Sequence, residues 1–263
     1  MTYLWIALAG FALMTAMGAD GSADAAKIKV LSSGSLKAAL SQLLPDFQKS
    51  SGNTATVEYG PAGAIVGRID KDEAADVVIV SRSQLQKLES NGKVVRGSLV
   101  DIAAIALGVA VRKGALKPDI SSVEAFKRAL LAARSIGYRD PITGSTSGIY
   151  TASLLERLGV AQDLRPKLVL DRSEGDVPEN VFLGVANGEV EMQIGQITEI
   201  AISPGVDLAG PLPGEIQNTT LMAAGIVTAC KAPDAAKAFI GFISSTSATV
   251  VLKASGFQPV DKN

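Results

Sequence analysis

The 263-residue chain is 47% hydrophobic and 19% charged, with a formal net charge of -1. Such a composition can bury a large core, and the near-neutral charge predicts no nucleic-acid binding. Because the chain has no histidine and a single cysteine, histidine-dependent triads, His-ligated zinc and internal disulfides are excluded. We predict neither a metal site nor a cofactor, and we expect Cys230 to be a buried small hydrophobe rather than a reactive thiol.

The first 25 residues have the pattern of an export signal. An uncharged apolar run from Tyr3 to Ala19 is followed by Ala23-Asp24-Ala25, an A-x-A cleavage pattern. No basic residue precedes the run, which an upstream start or retention of the run as a membrane anchor would explain. We expect cleavage after Ala25, a periplasmic location and no later membrane-spanning segment.

From Lys27 onward, short β-rich runs alternate with helical ones, a pattern typical of parallel α/β layers. Strands are predicted at IKVLSS, TATVEYG and ADVVIVS, and helices after the first and third of them. The run at 99–114 is too long for an ordinary strand. We predict that it is an extended segment that crosses between two lobes.

The alternation restarts after this crossing, and a second long β-rich run at 218–230 leads into two terminal helices. We therefore predict a discontinuous first lobe, 27–104 plus 217–263, and an inserted second lobe, 105–216. Each lobe is expected to hold a mainly parallel sheet flanked by helices, and two crossing segments join them.

Ligands of open parallel sheets bind beyond the carboxyl ends of the strands. The corresponding corners here are SSGS (32–35), YGPAG (59–63), VSRS (80–83), RDPITGSTSG (139–148) and EGDVPEN (174–180). Four of them are rich in glycine or hydroxyl residues. Unpaired N–H groups at helix starts and serine hydroxyls both suit an anion.

Each corner also has a purely structural interpretation. Ser35 could be only a helix N-cap, and Gly60 and Gly63 could only form a turn. Arg82 and Arg139 are predicted to be solvated surface charges rather than ligand clamps. The combined pattern favours a binding site, since a helix start does not require several small residues at several corners.

Five stretches carry a family resemblance: SSGSLKAAL, ADVVIVS, DPITGSTSGIYTASLLERLG, GDVPENV and SGF. In these the chain resembles the molybdate-binding receptors of ABC importers, within the type 2 periplasmic binding protein superfamily, over nearly its whole mature length. The resemblance implies a two-lobed receptor, expected to be a monomer. It would close on a small oxyanion through serine hydroxyls and backbone amides and deliver it to an importer permease.

The resemblance places the first ligand serine at Ser35 and backbone donors at Ser147 and Val177. It also shows two departures: Ala62 stands where the family has a second serine, and Ile194 stands where it has a tyrosine. Gln193 or Gln196 could substitute, and an amide suits a partly protonated or organic anion better than a bare dianion. The predicted ligand-binding residues are Ser33, Gly34, Ser35, Gly60, Pro61, Ala62, Gly63, Ser81, Thr146, Ser147, Gly148, Val177, Gln193 and Ile194.

Two other functions stay open. A receptor of this kind could present its liganded form to a signalling partner instead of an importer. An enzyme is the less favoured alternative: GSTSG resembles a hydrolase elbow, but Thr146 is at its centre and the chain has no histidine. Carboxylate chemistry at Asp140 or Glu174 is the remaining route, and we expect Asp140 to be a turn former. We predict a protein without catalytic activity.

Overall fold

The computed structural model describes residues 25–172 and 181–260. Its strands are β1 (Lys27–Ser33), β2 (Thr54–Gly60), β3 (Val77–Ser81), β4 (Val100–Arg112), β5 (Ile136–Arg139), β6 (Leu168–Asp171), β7 (Met192–Gln196), β8 (Val206–Pro211) and β9 (Thr219–Ile226). Its α-helices are α1 (Lys37–Ser51), α2 (Ala62–Asp70), α3 (Arg82–Ser90), α4 (Val123–Ala132), α5 (Thr146–Arg157), α6 (Ala161–Leu164), α7 (Leu183–Asn187), α8 (Ile197–Ile200), α9 (Pro233–Ile243) and α10 (Thr246–Ala254).

The strands follow the order β2-β1-β3-β9-β4-β7-β5-β6, and β8 pairs with β4. The set β2-β1-β3 is parallel, and so is β7-β5-β6. Strands β4 and β9 run antiparallel to their neighbours. The sheets are therefore mixed: the parallel strands that the alternation predicts are completed by antiparallel crossing strands.

The predicted first crossing segment is strand β4. It pairs with β9 as far as Ala106 and with β7 and β8 from Leu107 and Gly108 onward. Residues 102–111 of β4 are all buried, because the strand passes through the interior of the protein beside β9 and then beside β7 and β8. This burial explains a continuous apolar run without the alternation of a half-exposed strand.

The core residues divide into two halves. One half draws on residues between 28 and 105 and between 222 and 257, and the other on residues between 107 and 212. We call these lobe 1 and lobe 2. Helix α9 packs on lobe 1, where Phe239 lies edge-on against Phe47 of α1 with 5.1 Å between ring centroids. The predicted α/β, two-lobed fold class is confirmed, while the boundaries at 104/105 and 216/217 stay a prediction.

Cys230 is partly buried against the lobe 1 core, and burial raises the pKa of its thiol to about 11. A structural role fits such a thiol better than a reactive one.

Across 25–172 and 181–260, no single helix is long and apolar enough to span a membrane. Helices α9 and α10 together would be long enough, but a bend of 59° separates them. The predicted signal segment lies outside the described residues, apart from Ala25.

Candidate functional site

A cavity lies between the two lobes, at the carboxyl ends of the parallel strands. Its lining residues are Ser33, Gly34, Gly60, Pro61, Ala62, Ser81, Arg139, Ser145, Thr146, Gln196, Glu199 and Met222. The space open to the centres of water molecules is about 30 Å³, room for about two waters. The lobes are therefore in close approach, and the site is lined by hydroxyl groups, glycines and two buried charged residues.

The corner after β1 places Ser33 and Gly34 on the cavity. The Oγ atoms of Ser33 and Ser35 lie 3.0 Å apart, and Ser35 is buried in the 3₁₀ turn Gly34–Leu36. The N-cap interpretation of Ser35 is wrong, since α1 begins at Lys37 and the Leu36 position before it has no side-chain cap. The two hydroxyls form one polar unit, of which Ser33 faces the cavity.

Two further corners of lobe 1 contribute backbone more than side chains. Gly60 ends β2, Pro61 precedes α2, and the methyl group of Ala62 stands at the start of that helix. The first N–H groups of α2 have no partner within the helix. Ser81 also lines the cavity, but its hydroxyl takes part in a capping box with Gln84 at the start of α3.

Lobe 2 contributes the start of α5. Ser145 caps this helix by accepting a hydrogen bond from the Gly148 N–H at 3.4 Å, and its Oγ lies 3.0 Å from that of Ser147. Ser145 and Thr146 line the cavity, whereas Ser147 is buried behind them. Gly148 serves close packing, because a Cβ there would lie 2.2 Å from the carbonyl oxygen of Arg139.

Arg139 is buried, so its assignment as a solvated surface charge was wrong. It is the last residue of β5, a strand buried along its whole length. Its Nη1 lies 3.5 Å from Oδ2 of Asp171, the last residue of the neighbouring strand β6. An arginine ending a buried strand is directed into the cleft because the carboxyl ends of these strands open there. Arg82, by contrast, is partly exposed and pairs with Asp101 on lobe 1.

Glu199 is a cavity residue that the sequence reasoning missed. It is buried, and burial raises the pKa of its carboxyl to about 7, against the partly opposing charge of Arg139 and with added repulsion from Asp171. The available signal was its position three residues after the end of β7, in the corner QITEI. Nothing in the spacing alone separates such a carboxyl from a surface residue.

The two glutamines considered as donors occupy different places. Gln196 lines the cavity, and its Oε1 is buried without a hydrogen-bond partner among the described residues. Gln193 lies away from the cavity lining: its Nε2 donates to the Val181 carbonyl at 2.8 Å, and its side chain packs over Gly137. Ile194 is part of the lobe 2 core.

The remaining predicted positions are Gly63 and Val177. Gly63 contacts the backbone of Gly144 across the cleft instead of lining the cavity. Val177 and the alternative catalytic residue Glu174 lie outside the described residues. Asp140 forms the predicted turn: it accepts from the Ile142 N–H at 3.0 Å and pairs with Arg172. In the ranges that the structure describes, no group of three His, Cys, Asp or Glu side chains could hold a metal ion.

The fold and the hydroxyl-rich cleft define a two-lobed solute-binding protein of the type 2 periplasmic binding class. The family of bacterial extracellular solute-binding proteins matches residues 28–258, and the chain belongs to this family.

Curated relatives point to different ligands. The chain is 33% identical over 243 residues to the aconitate isomerase of a Pseudomonas species, covering 89% of this chain and 88% of the relative. It is 26% identical over 255 residues to the molybdate-binding protein of Azotobacter vinelandii, covering 93% and 96%. The solved structure of a periplasmic molybdate-binding protein from Azotobacter vinelandii superposes with a TM-score of 0.74 at 18% identity, over 89% of this chain and all of that chain, which shows the shared fold.

Proposed function

We propose that this protein is an exported receptor that captures a small anion between its lobes, with a carboxylate of a small organic acid as the favoured ligand. The observation that carries the proposal is the cavity itself: hydroxyls and helix-start amides from both lobes surround a space that also holds the buried Arg139. A buried guanidinium offers a planar pair of donors that matches a carboxylate.

Three features support a carboxylate over molybdate. Ala62 contributes a methyl group to the cavity wall at the position where the resemblance to the molybdate receptors places a serine hydroxyl. The unpartnered Oε1 of Gln196 can accept a hydrogen bond, which a hydroxyl or undissociated carboxyl provides and a bare dianion does not. The relative at 33% identity is named for aconitate, a tricarboxylate. An acid of that size requires the lobes to lie further apart than in this structure, where the space open to the centres of water molecules is about 30 Å³.

Membership of the solute-binding protein family supports a transport role. We propose a periplasmic location after removal of residues 1–25, and delivery of the bound anion to the permease of an ABC importer. A sensor that presents the liganded form to a membrane partner would use the same cleft. An importer permease and ATPase encoded beside this protein would support transport, and an adjacent sensor kinase would support signalling.

Thermal unfolding with a ligand panel tests the receptor. The panel contains molybdate, tungstate, sulfate, phosphate, malate, citrate and aconitate, added to protein shown by native mass spectrometry to be unliganded. A true ligand at a hundredfold excess over its Kd stabilises the protein by about 2.7 kcal/mol. No stabilisation by any member would contradict an anion receptor, and stabilisation by molybdate alone would contradict the carboxylate preference.

The matched variants for this test are Arg139→Lys and Arg134→Lys. Arg139→Lys removes the planar donor pair from the cavity and is expected to cost about 1.5–3 kcal/mol of binding free energy, or roughly tenfold to 150-fold in Kd. Arg134 is exposed and pairs with Glu191 outside the cavity. Arg134→Lys is expected to bind the anion with the same Kd as the wild-type protein.

A second candidate function is isomerisation of aconitate in the same cleft. Glu199 favours it, because a buried carboxyl with a pKa near neutrality can take up and release a proton. The relative at 33% identity favours it as well. Incubation with cis-aconitate, followed by proton NMR, tests this activity: formation of the trans isomer that Glu199→Gln abolishes would support it. Binding of aconitate without conversion would support the receptor function only, in agreement with the predicted lack of catalysis.

A further inference from the structure

Glu199 stands in a position where a negative charge works against the proposed ligand. It lies in the short helix α8, directly after β7, and lines the cavity together with Arg139. Both residues are 9% exposed, so water screens neither charge well.

Among the described residues that act on Glu199, negative charge exceeds positive charge when Glu199 is ionised. The described groups that act on it are Arg139, at the end of β5, and Asp171, at the end of β6. Arg139 is already paired with Asp171 across 3.5 Å. One guanidinium thus faces two carboxylates, and an incoming anion would add a further negative charge to a poorly solvated site. Protonation of Glu199 removes this excess and turns its carboxyl into a hydrogen-bond donor.

Gln196 gives an independent indication that this wall of the cavity contacts a ligand. It ends β7, three residues before Glu199, and is 7% exposed. Its Oε1 is buried and has no hydrogen-bond partner within the described ranges. A buried acceptor without a partner is costly unless a ligand satisfies it.

Resting on the proposed anion-binding function, we propose that Glu199 is protonated in the liganded site and donates a hydrogen bond to the bound anion, so that capture takes up one proton from solvent. The step is an equilibrium protonation: the Glu199 carboxylate gains one proton as the anion enters and returns it when the anion leaves. The burial that raises the pKa of this carboxyl to about 7 supports the step near neutral pH.

Calorimetric titration tests the coupling with sulfate, molybdate, malate and citrate as probes at pH 8, where all four are fully deprotonated in solution. Each titration is run in phosphate-free buffers of two different ionisation enthalpies. A difference in apparent heat reports the number of protons taken up per anion bound. We expect about one proton, and an affinity that falls about tenfold for each pH unit above the pKa of Glu199.

The variants Glu199→Gln and Glu215→Gln make the same chemical change at two sites. Gln at 199 keeps the shape of a neutral carboxyl, so we expect anion binding to remain at pH 8, with no proton uptake and little dependence on pH. Glu215 is exposed outside the cavity, and its variant is expected to retain the coupling.

The outcomes separate the two proposals. Binding with equal heats in both buffers and no pH dependence would overturn the role of Glu199 and leave the receptor intact. Proton uptake that persists in Glu199→Gln would also overturn it. Absence of binding by all four probes, together with no stabilisation by any member of the thermal panel, would overturn the anion receptor and this inference with it.

Discussion

Gly63 of lobe 1 and Gly144 of lobe 2 meet backbone to backbone across the cleft. A Cβ on Gly63 would lie 2.6 Å from the Cα of Gly144, and a Cβ on Gly144 would lie 2.7 Å from the Cα of Gly63. Gly144 also has a φ of +70°, which disfavours any side chain. The closed arrangement of the two lobes therefore depends on the absence of side chains at both positions.

Substitution Gly63→Ala is expected to hold the lobes apart. The methyl group would meet backbone atoms on the opposite lobe, which cannot rotate away, and such overpacking costs about 1–3 kcal/mol. For an anion small enough to bind while the two glycines are in contact, the Kd is expected to rise about fivefold to 150-fold. Calorimetry measures the Kd, and small-angle X-ray scattering of the ligand-saturated protein measures the larger radius of gyration.

Gly67→Ala is the control for Gly63→Ala, because it lies in the same helix α2 and nothing lies within 4 Å of its added Cβ. Gly67→Ala is expected to leave the Kd and the radius of gyration unchanged. An unchanged Kd and radius in Gly63→Ala would contradict closure through this contact.

Gly148→Ala is expected to destabilise lobe 2. Its Cβ would lie 2.2 Å from the Arg139 carbonyl oxygen, so the start of α5 must move away from β5. We expect a loss of about 1–3 kcal/mol in the free energy of unfolding. Gly241→Ala, in the exposed face of α9 with open space around it, should instead gain about 0.5–1 kcal/mol. Urea unfolding followed by circular dichroism compares them, and equal effects of the two alanines would count against the packing role of Gly148.

Glu199→Gln should change the pH dependence of stability in the ligand-free protein. The folded state holds the carboxyl at a pKa of about 7, above its usual 4.5, so folding favours the protonated form. Below pH 4.5 the Glu199 carboxyl is protonated in both the folded and the unfolded state, so it does not lower the free energy of unfolding. As pH rises through 7 the unfolded state is increasingly favoured, by about 3 kcal/mol in all. Between pH 5 and pH 8 the free energy of unfolding of the Gln variant should therefore rise by about 2–3 kcal/mol relative to that of the wild-type protein. Urea unfolding across this pH range measures the difference. The same pH dependence in both proteins would contradict a buried, ionisable Glu199.

Glu73 is expected to contribute modestly to the attachment of α2 to the sheet. It accepts hydrogen bonds from Arg68 Nε at 2.6 Å and Lys29 Nζ at 2.9 Å, which lower its pKa from 4.5 to about 2. The contribution is complete above pH 4.5 and is lost as pH falls through about 2. Because these side chains are about one-third exposed, Glu73→Gln should cost no more than about 1 kcal/mol at pH 7. The cost should shrink in 1 M NaCl, and a salt-independent loss would point to packing rather than charge.

Local patterns predicted much of the fold. The alternation of β-rich and helical runs identified the parallel strands of both lobes, and the long run at 99–114, which has no charged residue from 102 to 111, identified the crossing strand β4. The corners SSGS, YGPAG and GSTSG do meet at one cavity, because the carboxyl ends of parallel strands open toward the same cleft.

The side chains that tune the site were harder to predict. Arg139 reads as a surface charge until β6 and Asp171 are placed beside it. Gln193 and Gln196 read alike, yet Gln193 packs over Gly137 of β5 and Gln196 ends the strand at the cavity. The family resemblance supplied the expectation of an oxyanion, and it did not indicate Glu199.

The sequence by itself determined the class of the fold and the hydroxyl- and glycine-rich character of the cleft. Hydrophobic periodicity and helix-start residues can be read from a few neighbours along the chain, and the absence of histidine can be read from the composition. Only the tertiary structure decided which charges face the ligand and which glycines allow the lobes to meet. Burial of Arg139 and Glu199, and the contact of Gly63 with Gly144, join residues far apart in sequence, and desolvation and steric contact depend on what lies nearby in space.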